Sequence, residues 1–226
     1  LTFSEPVDDS QGADLASNSV TLGSSYSVSS INTGSTGDDA QLRVVVTEAG
    51  SDVYDTELIP TVTLVQSKIG DGLNNQATTN QGAFTPSDGA APVIVSAQTM
   101  DVDSDGKIDR VDLTFSENLD DSRGSNMNSN SFTLGSSYNV SSVVTGDTGD
   151  DKFLRVNLTE KLIVDSDIKP TITMNVSKIA DPSNNMTAQS AFTPTDAAKP
   201  IITNARWQDA QVDELIDRVS LTFSEP

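Results

Sequence analysis

With 33 acidic against 13 basic side chains in 226 residues, the chain carries a formal charge of −20 and contains neither histidine nor cysteine. Those absences exclude Ser-His-Asp and Cys-His nucleophiles, thiolate or imidazole zinc sites and disulfide frameworks, and the lack of Lys/Arg clusters argues against nucleic acid as a partner. No apolar run approaches the roughly 18 residues of a membrane span; an enzyme would have to work with carboxylates, Lys or Tyr, and the partner an aspartate surplus favours is calcium.

Leu1 opens in mid-pattern without a Met or a basic leader, which reads as a mature chain or a fragment. The string Leu-Thr-Phe-Ser-Glu starts at Leu1 and recurs at Leu113 and Leu221, at offsets of 112 and 108. Between these anchors the copies match piece by piece: Ser25-Tyr26 with Ser137-Tyr138, Gly37-Asp38-Asp39 with Gly149-Asp150-Asp151, and Leu42-Arg43-Val44 with Leu154-Arg155-Val156. The offset drops to 110 at Pro60 and Pro170, with Ser67-Lys68-Ile69 against Ser177-Lys178-Ile179, and to 108 at Phe84-Thr85-Pro86 against Phe192-Thr193-Pro194. Both slips fall in polar stretches, where loops absorb length change. A period this long exceeds a solenoid repeat and suits a small sandwich domain.

The boundaries are predicted after each Phe-Thr-Pro, ahead of Pro92 and Pro200. Residues 92–198 then form a complete module, 1–91 a module without its first strand and acidic loop, and 199–226 the first strands of a third module or a donated segment. Along the complete module, alternation predicts strands at Val93–Val95, at Val111-Leu113-Phe115, at Phe132-Leu134 and around Tyr138–Val140. Further strands follow at Leu154-Val156-Leu158 and Ile172-Met174-Val176. About seven short strands and no amphipathic helix predict an all-β fold of tandem Ig-like antiparallel β-sandwich modules.

Between the first two strands lies Asp101-Val102-Asp103-Ser104-Asp105-Gly106-Lys107-Ile108-Asp109-Arg110-Val111-Asp112. Counting from Asp101, oxygen donors fall at positions 1, 3, 5, 9 and 12 with Gly at 6, the spacing of an EF-hand-type Ca²⁺ loop. Alternate carboxylates converge on one hard cation because the glycine turns the chain tightly, and the Lys107 carbonyl adds a backbone oxygen. Position 12 departs from the pattern: Asp112 replaces a bidentate Glu and begins a strand. The expected ligands are therefore Asp101, Asp103, Asp105 and Asp109, with Lys107 and Asp112 after them; the alternative is a solvated acidic turn. In the third copy Asp209, Gln211, Asp213, Asp217 and Ser220 take these places and Glu214 replaces the glycine, which predicts a weak or empty site.

Other acidic groups recur at matched positions: Glu5 with Asp8-Asp9, Glu117 with Asp120-Asp121, and the Gly-Asp-Asp turns at Asp38 and Asp150. Turn chemistry is expected there ahead of a second ion site. Asp88 and Asp196 stand at the module junctions, where an ion would stiffen a hinge. Asn-x-Ser/Thr sequons at Asn139, Asn157, Asn175 and Asn185 fit an exported surface and make glycans a potential partner. Trp207, the only Trp, aligns with Thr99 and is expected to pack locally.

Pro-Val-Ile-Val-Ser ahead of an Asp loop, then Leu-Thr-Phe-Ser-Glu, and later Ser-Lys-Ile-Ala-Asp-Pro-Ser-Asn-Asn before Ala-Phe-Thr-Pro, resembles the bacterial Ig-like repeat domains of S-layer proteins and large cell-surface adhesins. The resemblance implies an extracellular β-sandwich array at the cell surface, often stabilised by calcium and acting as scaffold, stalk or lattice; a structural role, as a surface-layer, filament or stalk segment, is expected and enzymatic activity is not. An adhesin module that binds a glycan or receptor through its loops is the alternative; a distinctive insertion is expected of it, and the two copies differ only by small slips. The expected partners are copies of the chain itself, in head-to-tail or lattice contacts. One route to such contacts is strand addition, in which residues 199–226 complete the first module of a neighbouring copy; the other reading of the two ends is a piece of a longer array.

Overall fold

The computed structural model describes residues 1–8, 16–23, 26–34, 36–47, 54–123, 126, 128–146 and 148–226; Asp9 and Ser25 of the motifs above lie outside them. The described residues are all-β, with a three-residue 3₁₀ turn at Ser129–Ser131 as their one helical element. They divide into two compact units, Leu1–Tyr54 with Leu58–Asp88, and Asp55–Glu57 with Gly89–Pro226.

In the first unit the strands are β1 (Val20–Leu22), β2 (Val28–Thr33), β3 (Leu42–Val46), β4 (Val62–Leu64) and β5 (Gln81–Phe84). They form a β1-β4-β5 sheet and a β2–β3 pair, all antiparallel. The opening Leu-Thr-Phe lies beside β3: Thr2 bridges Gln41, and the Phe3 amide donates to the Ala40 carbonyl at 2.7 Å. Val7, Val20, Ile31, Leu42, Val62, Leu64 and Ile69 make a small core drawn from both sheets.

The second unit continues with β6 (Ile94–Met100), β7 (Arg110–Phe115), β8 (Phe132–Leu134), β9 (Asn139–Thr145), β10 (Phe153–Thr159), β11 (Ile172–Met174), β12 (Gln189–Phe192), β13 (Thr195–Asp196), β14 (Ile202–Gln208) and β15 (Arg218–Phe223). A five-stranded sheet β13-β6-β7-β10-β9 and a three-stranded sheet β12-β11-β8 share one core. The alternation explains why. Val111, Leu113 and Phe115 of β7 pair with Val156, Leu154 and the flank of β10, and their apolar side chains are buried while Asp112 and Thr114 turn outward. Phe132, Leu134, Ile172 and Met174 close the core from the other sheet. Each such large side chain contributes about 1.5–3 kcal/mol through removal from water.

One pairing departs from the antiparallel expectation. Residues Thr195 and Asp196 run parallel to β6, opposite Gln98 and Thr99. The chain leaving β12 passes along the sheet edge in the direction of β6, and the Thr99 hydroxyl donates to the Thr195 carbonyl there.

The internal repeat is visible in the backbone. Left-handed φ angles recur at Asp38 and Asp150, Ser67 and Ser177, Asn74 and Asn184, Ser104 and Val212, and Gly106 and Glu214. The β14–β15 hairpin repeats the register of β6–β7: Ile202 faces Phe223 as Ile94 faces Phe115, and both pairs shift register at the same step. The tail clusters with the second unit.

Candidate metal centre

The acidic loop joins β6 to β7, and its backbone is organised by its own aspartates. Asp101 Oδ1 accepts from the amides of Ser104 (2.7 Å) and Asp105 (3.2 Å), and its Oδ2 accepts from Gly106 (2.8 Å). Asp109 Oδ2 accepts from the amides of Val102 and Asp103, and the Asp109 amide donates to the Met100 carbonyl at 2.9 Å. Gly106 has φ +86°, a conformation that glycine takes without strain, and a Cβ there would lie 2.9 Å from Ile201 Cδ1, so that side chain would have to shift.

The second unit pins the loop from beneath. The Gly106 carbonyl accepts from the amides of Asp165 (2.9 Å) and Ser166 (3.0 Å), and the Asp109 carbonyl accepts from Leu158 (2.7 Å). Asp165, buried, accepts from the Ile108 amide at 3.1 Å and from the Tyr138 hydroxyl. Burial, with the hydrogen bond to Asp165, pushes the Tyr138 phenol up.

Three of the sequence-predicted ligands come together: Asp101, Asp103 and Asp109 each offer a carboxylate oxygen within 4.8 Å of the others. Asp105 is engaged instead with Lys107, whose ammonium and amide both donate to it. That contact holds the Asp105 carboxyl below its usual range and raises Lys107. Asp112 turns onto the sheet and pairs with Arg110, Nε to Oδ1 at 2.6 Å. A strand at position 12 sends the side chain away from the loop, so the ligand an EF-hand takes from that position is not supplied by Asp112.

A carboxylate absent from the loop sequence joins it. Glu160, just past β10, lies 3.5 Å from Lys107 Nζ. A hydrogen bond shared with Asp109, then desolvation and the charges of Asp105 and Asp109, hold its carboxyl above the ordinary range. The crowding is that of a site with excess negative charge, which a divalent cation relieves. Nothing within residues 101–112 signals Glu160, because the pairing of β7 with β10 brings it there.

The loop of the third copy keeps this backbone without its full charge. Asp209 accepts from Val212, Asp213 and Glu214, and Asp217 accepts from Ala210 and Gln211, bond for bond as in 101–109. These amides, that of Ala210 first, hold the Asp217 carboxyl low. Gln211 stands where Asp103 does, and Glu214 has a left-handed φ of 64° where Gly106 has one of 86°.

Several of the other acidic residues serve turns. Asp39 accepts from Thr36 and Gln41, Asp151 from Thr148 and Phe153, and Asp120 from Ser122. The Asp121 amide donates to the Asp150 carboxylate at 2.9 Å, and the Asp150 amide donates to the Asp121 carboxylate at 3.0 Å. Asp71 and Asp181 clasp Asn75 and Asn185 in the same way in each copy. Asp196 accepts from the Ala198 amide and faces Glu225, whose carboxyl is pushed up by burial and then by Asp196. Of the sequon asparagines, Asn157, Asn175 and Asn185 spend their side-chain amides on Ser142, the Asn130 carbonyl and Asp181, whereas Asn139 is exposed. Among the described residues no helix is long and apolar enough to cross a membrane.

Comparison with known protein families, curated proteins and solved structures returns no match.

Proposed function

We propose that the chain is an extracellular, cell-surface structural repeat segment of tandem Ig-like sandwich modules, stiffened by Ca²⁺ in the 101–109 loop and without catalytic activity. The observation that supports this reading best is the convergence of Asp101, Asp103 and Asp109 within 4.8 Å on a loop anchored to the sandwich through Asp165 and Tyr138. Glu160 adds a further oxygen donor at the rim, and Ca²⁺ accepts the six to eight oxygens such a site completes with backbone carbonyls and water. The mechanism is mechanical. An ion bound to the folded loop and not to the unfolded chain stabilises the fold by mass action, and sites of about 10⁻⁴–10⁻³ M suit extracellular calcium. Two copies in tandem that differ in length only by small slips, a low content of aromatic residues and a charge of −20 suit a soluble spacer better than a binding tip.

The test is thermal unfolding of the full chain in CaCl₂ against NaCl of equal ionic strength, with isothermal titration of Ca²⁺. A rise in melting temperature specific to Ca²⁺ and saturable binding are expected. Equal melting in both salts refutes the reading and leaves salt adaptation as the reason for the acidic surplus.

A further inference from the structure

Lys107 places a cation among the carboxylates of the candidate metal centre. Its ammonium donates to Asp105 and lies 3.5 Å from Glu160, and its side chain is only 25 % exposed. Glu160 in turn shares a hydrogen bond with Asp109, one of the three aspartates whose oxygens converge within 4.8 Å. Lys107 therefore holds two further oxygen donors, Asp105 and Glu160, at the edge of the cluster formed by Asp101, Asp103 and Asp109.

The fold of the loop does not ask for this lysine. Leu215 stands at the matching position of the third copy, and the backbone closes there in the same way: the Leu215 amide donates to Asp213 at 3.1 Å as the Lys107 amide donates to Asp105 at 2.9 Å. The amide bonds to Asp209 and Asp217 likewise repeat those to Asp101 and Asp109. The copy without the ammonium also has Gln211 in the place of Asp103. The lysine thus accompanies the charge of the loop and not its turn.

Electrostatics gives the reason. Asp101, Asp103, Asp105, Asp109 and Glu160 crowd negative charge together, and a nearby positive charge lowers their mutual repulsion. A tethered ammonium does so with unit charge and three hydrogen bonds. A free divalent cation does so with twice the charge and accepts six to eight oxygens. The two compete for the same carboxylates.

We infer that Lys107 is a resident counter-cation that a divalent ion displaces: with no ion bound it holds Asp105 and Glu160 in ion pairs, and ion binding turns those two carboxylates to the metal beside Asp101, Asp103 and Asp109. The inference rests on the ion reading above and adds its regulation. Exchange sets a threshold, because the lysine steadies the loop when no ion is bound and lowers affinity for the ion that replaces it. It also disfavours monovalent cations, which bring no more charge than the ammonium they would displace.

Calorimetric titration of Ca²⁺ into the full chain tests this, with melting measured in chelator and in calcium. Lys107→Leu, the residue of the third copy, is expected to bind calcium about tenfold more tightly through loss of the competing charge. It is also expected to melt below the wild type in chelator and to gain more from calcium. Lys107→Arg keeps the charge and is expected to keep the wild-type affinity; Asp105→Asn is expected to bind several-fold more weakly. Reductive methylation reads the exchange directly: calcium is expected to speed modification of Lys107 several-fold relative to Lys68 in the first unit. If the wild type binds calcium, this inference alone is overturned by any of four results: Lys107→Leu binding no tighter, Lys107→Arg binding as tightly as Lys107→Leu, Asp105→Asn binding as the wild type does, or a Lys107 methylation rate indifferent to calcium. Absence of saturable binding in both the wild type and Lys107→Leu overturns the ion reading and this inference together.

Discussion

Replacing Asp103 by Asn separates an ion-binding loop from a merely acidic turn. The Asp103 side chain is exposed and accepts a hydrogen bond from the Asp105 amide at 3.2 Å, which an asparagine oxygen accepts equally well. Its neighbour Asp101 takes three amide bonds and shapes the loop. In 10 mM calcium a site of about 10⁻⁴–10⁻³ M adds roughly 1.4–2.7 kcal/mol of stability by mass action. For a module near 100 residues that is a rise of about 6–20 °C in melting temperature. A tenfold loss of affinity in Asp103→Asn removes roughly 1.0–1.3 kcal/mol of this increment, while the melting temperature in chelator stays at the wild-type value. Asp101→Ala behaves differently: with three amides left unpaired it loses about 1–3 kcal/mol even in chelator. The assay is differential scanning calorimetry in calcium and in chelator, with hydrogen exchange read on the 101–110 segment. An Asp103→Asn chain that keeps the full calcium increment, or loses stability equally in both buffers, refutes the assignment of Asp103 as a ligand.

Tyr138→Phe removes the hydroxyl that the buried Asp165 accepts from; a loss of about 1.5–3 kcal/mol in the urea midpoint is expected, with weaker calcium binding because the loop is no longer anchored. Gly106→Ala places a Cβ at φ +86° and against Ile201, and is expected to lower stability by about 1–3 kcal/mol, with faster exchange of the Asp165 and Ser166 amides that bond its carbonyl. Asp121 has its carboxyl pushed up to about 6 by burial, assisted by the charges of Asp151, Asp150 and Asp120. The folded state therefore binds this proton more tightly than the unfolded chain, and its contribution is full below the unfolded value near 3.8 and lost as pH rises through about 6. Asp121→Asn is expected to flatten that part of the stability profile and to stabilise the protein at pH 7, by no more than about 1 kcal/mol once solvent screening is allowed for. Denaturant midpoints from pH 4 to 8 measure it, and an unchanged slope contradicts the assignment.

The sequence by itself determined the repeat, the strand-forming stretches and the loop that carries the aspartates. These are local properties: alternation at period two places Val111, Leu113 and Phe115 on one face whatever surrounds them, and a turn that needs φ +86° selects glycine at 106. Where each carboxylate of the loop is directed depends on partners distant in sequence, which spacing does not contain. Position 12 of the loop lies on β7, so Asp112 follows the pleat of the strand to Arg110, and Asp105 meets Lys107 before it meets an ion. Glu160 enters because β10 pairs with β7, a contact that no window along the chain contains. The third copy shows the converse: its backbone keeps the loop shape through Asp209, Asp213 and Asp217, so the turn can persist with Glu214 in place of glycine and Gln211 in place of Asp103. Tertiary structure also decided the core: Val111, Leu113 and Phe115 are buried because Phe132, Leu134, Ile172 and Met174 of the second sheet join them in one cluster, and removal of apolar surface from water is a property of the neighbours and not of the strand.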